Sequence, residues 1–394
     1  QLRRQSLVII LILIVISGFL IGRLPSWTEL VNSSGFVLVF ACLVPTLALM
    51  RATAMTMPSV SKTQKRLAAL KPENSALGIQ LTSHLIGGVL NIGTFSLISV
   101  ALPLDSGLRR RQLAAISSMR GMNSAILWSP FFISFAVASV YLPKGFAAGS
   151  ISLGILIALI FFIVTQVIYP PRIVKTSIKS SLQPLNPIIS RLLVIGLCVV
   201  LTSFFTGLSA LTAICVAMPL MCFIQIIRRP ETYKPIWTNF KNLQKASGDE
   251  IVIISLSMLI ATQVSQADYL SFIMSSFFGP KPQISQILIV FPILVWLGAV
   301  VGVHPVISSA PLLAYFAPSL TIYDAVFVAQ AHMIGWASGT MISFASLSTI
   351  LVSEQFKVQN ATLSFGENLP IAGCLALGGG LTLCALHTVL KYFM

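Results

Sequence analysis

Five hydroxyl side chains fall along one apolar stretch, 335–348: Ser338, Thr340, Ser343, Ser346 and Ser348. A second apolar stretch, 121–142, carries Ser124, Ser129 and Ser134, with Pro130 in its middle. A hydroxyl in a bilayer-length apolar helix has two uses. It lets helices pack closely, or, where the helix is interrupted, it joins freed backbone groups in holding an ion or a small anion. Pro130 lacks an N–H and clashes with the preceding turn, so an interruption around Trp128-Ser129 is expected. At such a break the freed amides offer the positive end of a dipole to an anion, and the freed carbonyls ligate a cation.

The two stretches match in one register. Gly121 falls on Gly335, Ser124 on Ser338, Leu127 on Met341, Ser129 on Ser343 and Ser134 on Ser348, a constant offset of 214 residues (335 less 121). The match runs upstream without a gap through Met119 and Met333, Ala115 and Ala329, Thr94 and Ser308, Ile92 and Val306, Val89 and Val303, and Gly88 and Gly302. Shared membrane composition gives single matches; a common register over this length points to duplication. The candidate substrate-binding residues are Asn91, Thr94, Ser129, Ser308 and Ser343. The candidate ion-binding residues are Gly93, Ser124, Ser309, Ser338 and Ser346. His304, beside the second interruption, is the candidate proton carrier, ahead of His84. His332 falls in a linker and reads as interfacial. Asp268 reads as exposed near the outer surface, and Asp249-Glu250, after Ser247, as an acidic helix start.

These residues need a membrane scaffold. Of 394 residues, 56% are hydrophobic and 9% charged, against about 25% charged in soluble proteins. The chain is therefore read as an all-α polytopic membrane protein. The net charge of +15 lies in short loops, where membrane orientation asks for it, and does not point to nucleic acid. The six cysteines sit in apolar runs without close His partners and read as free thiols. No nucleotide loop, zinc spacing, nucleophile elbow or core carboxylate pair occurs, so no catalytic residue, cofactor or metal is assigned and the chain is not read as an enzyme.

A first repeat, 1–169, contains spans 6–22 and 34–50, a long stretch 77–104 broken at Gly87-Gly88 and Asn91–Thr94, the broken helix 121–142 and span 147–169. Residues 170–209 form a cytoplasmic loop and a connecting span. A second repeat, 210–394, contains spans 210–227 and 251–278, the stretch 284–318 broken at Gly302–Pro305, the broken helix 335–352 and span 370–391. Leu7–Ile21 is followed by no small-residue cleavage site and reads as a first membrane helix. Basic loops at 51–71, 109–120, 172–191 and 228–245 all belong inside. Stretch 77–104 must then enter and leave on one side, as a re-entrant hairpin. Non-helical backbone at that depth is tolerated only in protein or at a cavity. The linker 319–334 holds Asp324 and no Lys or Arg, whereas its partner holds Arg109, Arg110, Arg111 and Arg120. One repeat thus faces in and the other out. No Lys or Arg is expected near the site.

Two inverted repeats, each with a re-entrant hairpin and an interrupted helix, resemble the ion transporter superfamily: the divalent anion–sodium symporters, the citrate transporters and the large membrane subunit of TRAP transporters. The symporters carry Ser-Asn-Thr at their hairpin tips. Here Asn91 and Thr94 echo that motif with an insertion between them, and the second tip reads His304-Pro305-Val306-Ile307-Ser308-Ser309. The resemblance implies elevator-like alternating access. The resulting expectation is a secondary active transporter of a small organic anion, a carboxylate by preference, coupled to sodium or protons, in a bacterial inner membrane. Its partners are the organic anion, the coupling cation and the lipid bilayer, with homodimerisation open. A membrane subunit of a multi-component transporter, a passive channel and an intramembrane enzyme are the alternatives.

Overall fold

The computed structural model describes residues 26–393 apart from 103–105, 169–177, 266–271, 273, 277, 280–281 and 345, together with residues 7, 11, 15 and 18. The rest of the span at 6–22, and Asp268, lie outside the described residues. The described chain is helical: α1 Trp27–Ala54, α2 Pro58–Ala68, α3 Pro72–Leu90, α4 Gly93–Ser99, α5 Leu108–Ile126, α6 Ile133–Tyr141, α7 Phe146–Ile168 and α8 Ile178–Leu182. It continues with α9 Ile189–Thr206, α10 Ala210–Arg228, α11 Tyr233–Ser265, α12 Ile284–Val300, α13 Pro305–Phe316, α14 Ile322–Ile342, α15 Leu347–Phe356, α16 Asn360–Phe365 and α17 Asn368–Tyr392. Among the described residues six segments are long and apolar enough to cross a membrane: 37–54, 146–167, 189–206, 210–228, 322–356 and 368–392. The chain is an all-α, multi-pass membrane protein.

Local sequence sets the boundaries. Pro72 and Pro305 occupy first-turn positions, where the missing N–H costs nothing. Thr321 caps α14 by accepting from the Asp324 amide (3.1 Å), with Asp324 in the positive first turn. Ser209 and Ser346 cap α10 and α15 in the same way. Gly207 ends α9 at φ 67, a conformation glycine adopts without strain.

Burial sorts the helices into centre and rim. Every residue from Ala114 to Ile126 of α5 is buried, as is nearly all of α14. The 322–356 segment is 76% buried, whereas the α9 span is 6% buried. The hydroxyl-bearing helices therefore run through the middle, and α9 stands at the edge.

Contacts give the directions. Ser83 meets Ser118 (3.1 Å), His84 meets Ser124 (2.8 Å) and Ser129 meets the Gly88 carbonyl, so α3 and α5 advance together. The chain must then turn back between the end of α3 and the start of α5. Likewise Gly335 lies against Pro292 and Val295, and Gly339 against Ala299 and Pro305. Helices α12 and α14 thus run parallel, and 301–321 folds back. Across the halves the sense reverses: Thr340 meets Asn123 (2.6 Å) while His332 meets the Ser134 carbonyl (3.0 Å). The offset that carries Gly121 onto Gly335 also carries the start of α5 onto that of α14, α6 onto α15 and α7 onto α16.

Several expected boundaries are corrected. The broken helices begin at Leu108 and Ile322, not at 121 and 335, because 109–120 and 319–334 are almost wholly helical and largely buried rather than linkers. His332 is consequently fully buried, not interfacial, and Arg120 is 6% exposed rather than a loop charge. The basic stretch 228–245 is largely the start of α11, which runs unbroken through Asp249-Glu250, so no helix begins there. The span expected at 251–278 begins as far back as Tyr233, and the folded-back stretch at 77–104 begins at Pro72.

Candidate functional site

The first tip is Asn91-Ile92. Asn91 ends α3 at φ 54 and ψ −135, one of two non-glycine residues with positive φ among the described residues. A positive φ with this ψ is the first-corner conformation of a type II′ turn, a turn class that Gly, Asn and Asp dominate; here Oδ1 accepts from the Ile92 amide (2.7 Å). The Thr94 amide donates to the Asn91 carbonyl (3.1 Å), so both candidates belong to one turn. Thr94 is fully buried and its hydroxyl has no hydrogen-bond partner. Gly93 lies against the Arg51 side chain, where a Cβ would come within 3.0 Å of Cγ. Arg51 Nε donates to the Leu90 carbonyl (3.0 Å), at the negative end of α3. A guanidinium therefore reaches this tip, contrary to the expectation of none. It sits among loop charges in the sequence, and no spacing rule marks it.

The first break spans Leu127–Phe132, where Pro130 predicts it. Ser129 is fully buried; its hydroxyl donates to the Gly88 carbonyl and accepts from the Phe131 amide (3.2 Å). It ties the break to the end of α3. Ser124 donates to the Gly121 carbonyl (2.7 Å) and lies 2.8 Å from His84 Nδ1. Trp128 Nε1 donates to His84 Nε2 (3.2 Å). A ring nitrogen that accepts from Trp128 carries no proton, so Nδ1 holds it and His84 donates to Ser124. His84 is thus held as one neutral tautomer between two residues flanking the break.

The second tip is built differently. Gly302 takes φ 88, and His304 caps α13 with Nδ1 accepting from the Val306 amide (3.2 Å). The ring packs edge-on to Trp336, 5.8 Å between centroids. Ser308 and Ser309 follow, and neither hydroxyl has a partner. The second break is Ser343–Ser346. Ser346 donates to the Thr340 carbonyl (3.0 Å) and Thr349 to the Ser343 carbonyl (2.7 Å), so two carbonyls at the break are already taken. Ser343 is fully buried and its hydroxyl is uncommitted. Ser338 bonds back to the Gly335 carbonyl (3.0 Å).

The four features are brought together crosswise: α4, from the first tip, packs on α15 after the second break, and α13, from the second tip, packs on α6 after the first. Gln355 on α15 donates to Ser96 on α4 (2.7 Å). No side-chain hydrogen bond joins the five substrate candidates to one another among the described residues. Four residues of the centre were not assigned to the site from sequence. Asn123 and Thr340 meet where α5 and α14 cross, Thr340 donating its one proton to Asn123 Oδ1 or to the Trp336 carbonyl (2.8 Å). Arg120 Nε donates to Asn368 Oδ1 (3.0 Å) and its Nη2 lies 3.8 Å from Glu367. His332 joins α14 to α6. Under the same offset Asn123 falls on Ala337 and Thr340 on Ile126, and only His332 falls on a polar residue, Ser118, so the available signal was a polar side chain in an apolar run rather than the register.

Among the described buried side chains there is no Asp or Glu. The chemistry on offer is therefore that of hydroxyls, amides, carbonyls and imidazoles, with the Arg51 guanidinium at the first tip. A cavity of about 550 Å³ lies elsewhere, among α1, α9, α10 and the end of α3. None of the candidates lines it.

No protein-family model and no curated protein sequence matches the chain. Among solved structures it is similar to the YdaH transporter of Alcanivorax borkumensis, whose crystal structure is described as revealing an unusual topology. Identity is 15%, the match covers 98% of this chain and 96% of that one, and the TM-score is 0.51. At that identity the likeness is one of fold, and it extends over nearly the whole of both chains.

Proposed function

We propose that the chain is a secondary active transporter of a small organic anion, a carboxylate by preference, coupled to sodium and working by elevator-like alternating access. The reading of a membrane transporter rests on the fold it shares with YdaH. The repeats are proposed to be inverted, with α3–α4 and α12–α13 as re-entrant hairpins. The opposed run of α5 and α14 and the crosswise packing of tips on breaks both support this. One observation carries the site: Thr94 and Ser308, matched in register at the two tips, are both hydroxyls sealed from solvent without a partner. An unpaired buried hydroxyl costs roughly 1–3 kcal/mol; an arriving ligand that accepts from it recovers that cost. With Ser309 and Ser343 they form the proposed ligand shell. Asn91, Gly93, Ser124, Ser129, Ser338 and Ser346 shape and hold it. Sodium is favoured over protons because hydroxyls and carbonyls suit it and the buried set lacks carboxylates. His304 is the proton carrier in the competing version.

The test is uptake into proteoliposomes loaded without substrate, using a panel of labelled mono- and dicarboxylates, under an imposed sodium gradient or an imposed pH gradient. The expected result is accumulation that follows the sodium gradient. Accumulation that follows the pH gradient alone and is lost in His304→Gln would transfer coupling to that histidine. Equilibration under every gradient, with no accumulation, would make the chain a passive pore.

A further inference from the structure

The cavity among α1, α9 and α10 belongs to neither tip nor break. Its walls are apolar and adaptable: Met50, Met57, Met218 and Met221 line it, with Val89 and Leu90 from the end of α3. Methionine's unbranched, polarisable chain fits irregular apolar occupants. At about 550 Å³ the cavity is of ligand-pocket size, which runs roughly 300–1,000 Å³. No Asp or Glu lines it, whereas Arg191 and Arg228 do. The two arginines lie at one end. Helices α9 and α10 are consecutive and joined by the short turn at Gly207–Ser209, so the start of one and the finish of the other come together. Arg191 reaches Met57 Sδ (3.8 Å), and among the described residues neither arginine has a carboxylate partner. Basic loops place this end in the cytoplasmic leaflet. Helix α9 itself is hardly buried, so it closes the cavity from the lipid side as a lone wall.

We infer that this cavity holds an anionic membrane phospholipid, its phosphate between Arg191 and Arg228 and an acyl chain among the methionines. Basic pockets between membrane helices on the cytoplasmic side bind such headgroups. The long arginine stems suit the depth, keeping charge at the interface while their methylenes cover apolar surface. The occupant touches Val89 and Leu90, next to the first tip, and so braces the base of that tip. The site stands whatever the transported substrate is.

The experiment is native mass spectrometry of the full chain, purified in mild detergent after incubation with phosphatidylglycerol or phosphatidylcholine. The wild type should retain phosphatidylglycerol in preference. In Arg191→Gln/Arg228→Gln that preference should fall about thirtyfold, the factor two basic residues supply at about 1 kcal/mol each. Cys198→Trp, which fills the cavity and leaves both arginines, should also lose retention. If the double variant does not accumulate, Arg228→Gln alone should reduce the preference about fivefold. Equal retention of the two lipids by the wild type overturns the proposal. So does an unchanged preference in the arginine variants. Retention intact in Cys198→Trp overturns the acyl seat, because the lipid then binds by surface charge alone.

Discussion

The two halves of the centre share one plan and use their hydroxyls in opposite ways. In the first, Ser129 is spent on the Gly88 carbonyl, and Ser124, His84 and Trp128 close a chain of bonds around the break. In the second, the matched Ser343 is free, and so are Ser308 and Ser309 at the tip. His304 reaches only its own helix start, and Trp336 meets it edge-on without a hydrogen bond being drawn between them. Matched sequence therefore does not mean matched chemistry. The first half is fastened; the second carries more of the unspent hydrogen-bonding capacity. A ligand that enters should draw mainly on the second half and on Thr94, while the first keeps the frame in place.

The comparison breaks outright if the halves do not oppose one another in the membrane. Single cysteines replacing Arg110 and Asp324, in a background freed of the six native cysteines, should react with an impermeant thiol reagent from opposite sides. Reaction from one side removes the inverted pairing and, with it, the proposed site. The next largest effect lies at the matched glycines. A Cβ on Gly121 runs into the Gln80 carbonyl oxygen, which is backbone and cannot turn aside; on Gly335 it meets the Val295 side chain at 2.9 Å. Overpacking ordinarily costs about 1–3 kcal/mol. Gly121→Ala should exceed that range and fail to accumulate as a monodisperse protein, while Gly335→Ala should fold with a lowered melting temperature. Equal behaviour of the pair would mean that the close approach of α3 and α5 is not the tighter one.

Much of this arrangement is legible in the sequence. The Pro130 interruption, the tip at Asn91 and the constant offset all arise from residue types whose backbone consequences are local. The offset also holds at the helix starts of 108 and 322, 133 and 347, and 146 and 360. What the sequence hides is side-chain partnership across helices. Arg51 and Arg120 lie among arginines that orient the chain, and nothing local separates an orienting charge from one that folds inward to Leu90 or Asn368. His332 was misplaced for a related reason. A stretch without Lys or Arg that follows a turn reads as a linker, yet Thr321 and Asp324 already start a helix there. Ser129 and Ser343 occupy matched positions, and their difference in hydrogen bonding is set by Gly88, a residue from another helix.

Serine replacements sharpen the comparison on a smaller scale. Ser343→Ala removes a hydroxyl that has no partner in the protein, so stability should hold or rise slightly. A hydrogen bond to a charged ligand is worth roughly 1.5–3 kcal/mol, so the half-saturating concentration of substrate or ion should rise about ten- to a hundredfold. Ser129→Ala should show the reverse pattern. It leaves the Gly88 carbonyl unpaired at a cost of about 1–3 kcal/mol, read as a lower melting temperature, with affinity changed less than in Ser343→Ala. A large affinity loss in Ser129→Ala with unchanged stability would exchange the roles of the two halves.

The smallest expected effect separates Ser124 from Ser338. Both hydroxyls donate to the carbonyl three residues back, Gly121 and Gly335. Such a bond within one helix competes with the helix's own ladder and adds little. Ser338→Ala should therefore change stability by about 0.5 kcal/mol, the low end of what one intramolecular hydrogen bond contributes. Ser124 differs in one respect: it also receives the His84 Nδ1 proton across the α3–α5 seam. Side-chain hydrogen bonds between membrane helices average about 0.6 kcal/mol. Ser124→Ala should cost that much more than Ser338→Ala. The excess should vanish in a His84→Ala background, where the donor is already gone. A double-mutant cycle in Ser124 and His84, read by denaturant or thermal unfolding in detergent, isolates this term. A coupling near zero would mean that the ring holds Trp128 alone, and that the first break is fastened through Trp128 and Ser129 without Ser124.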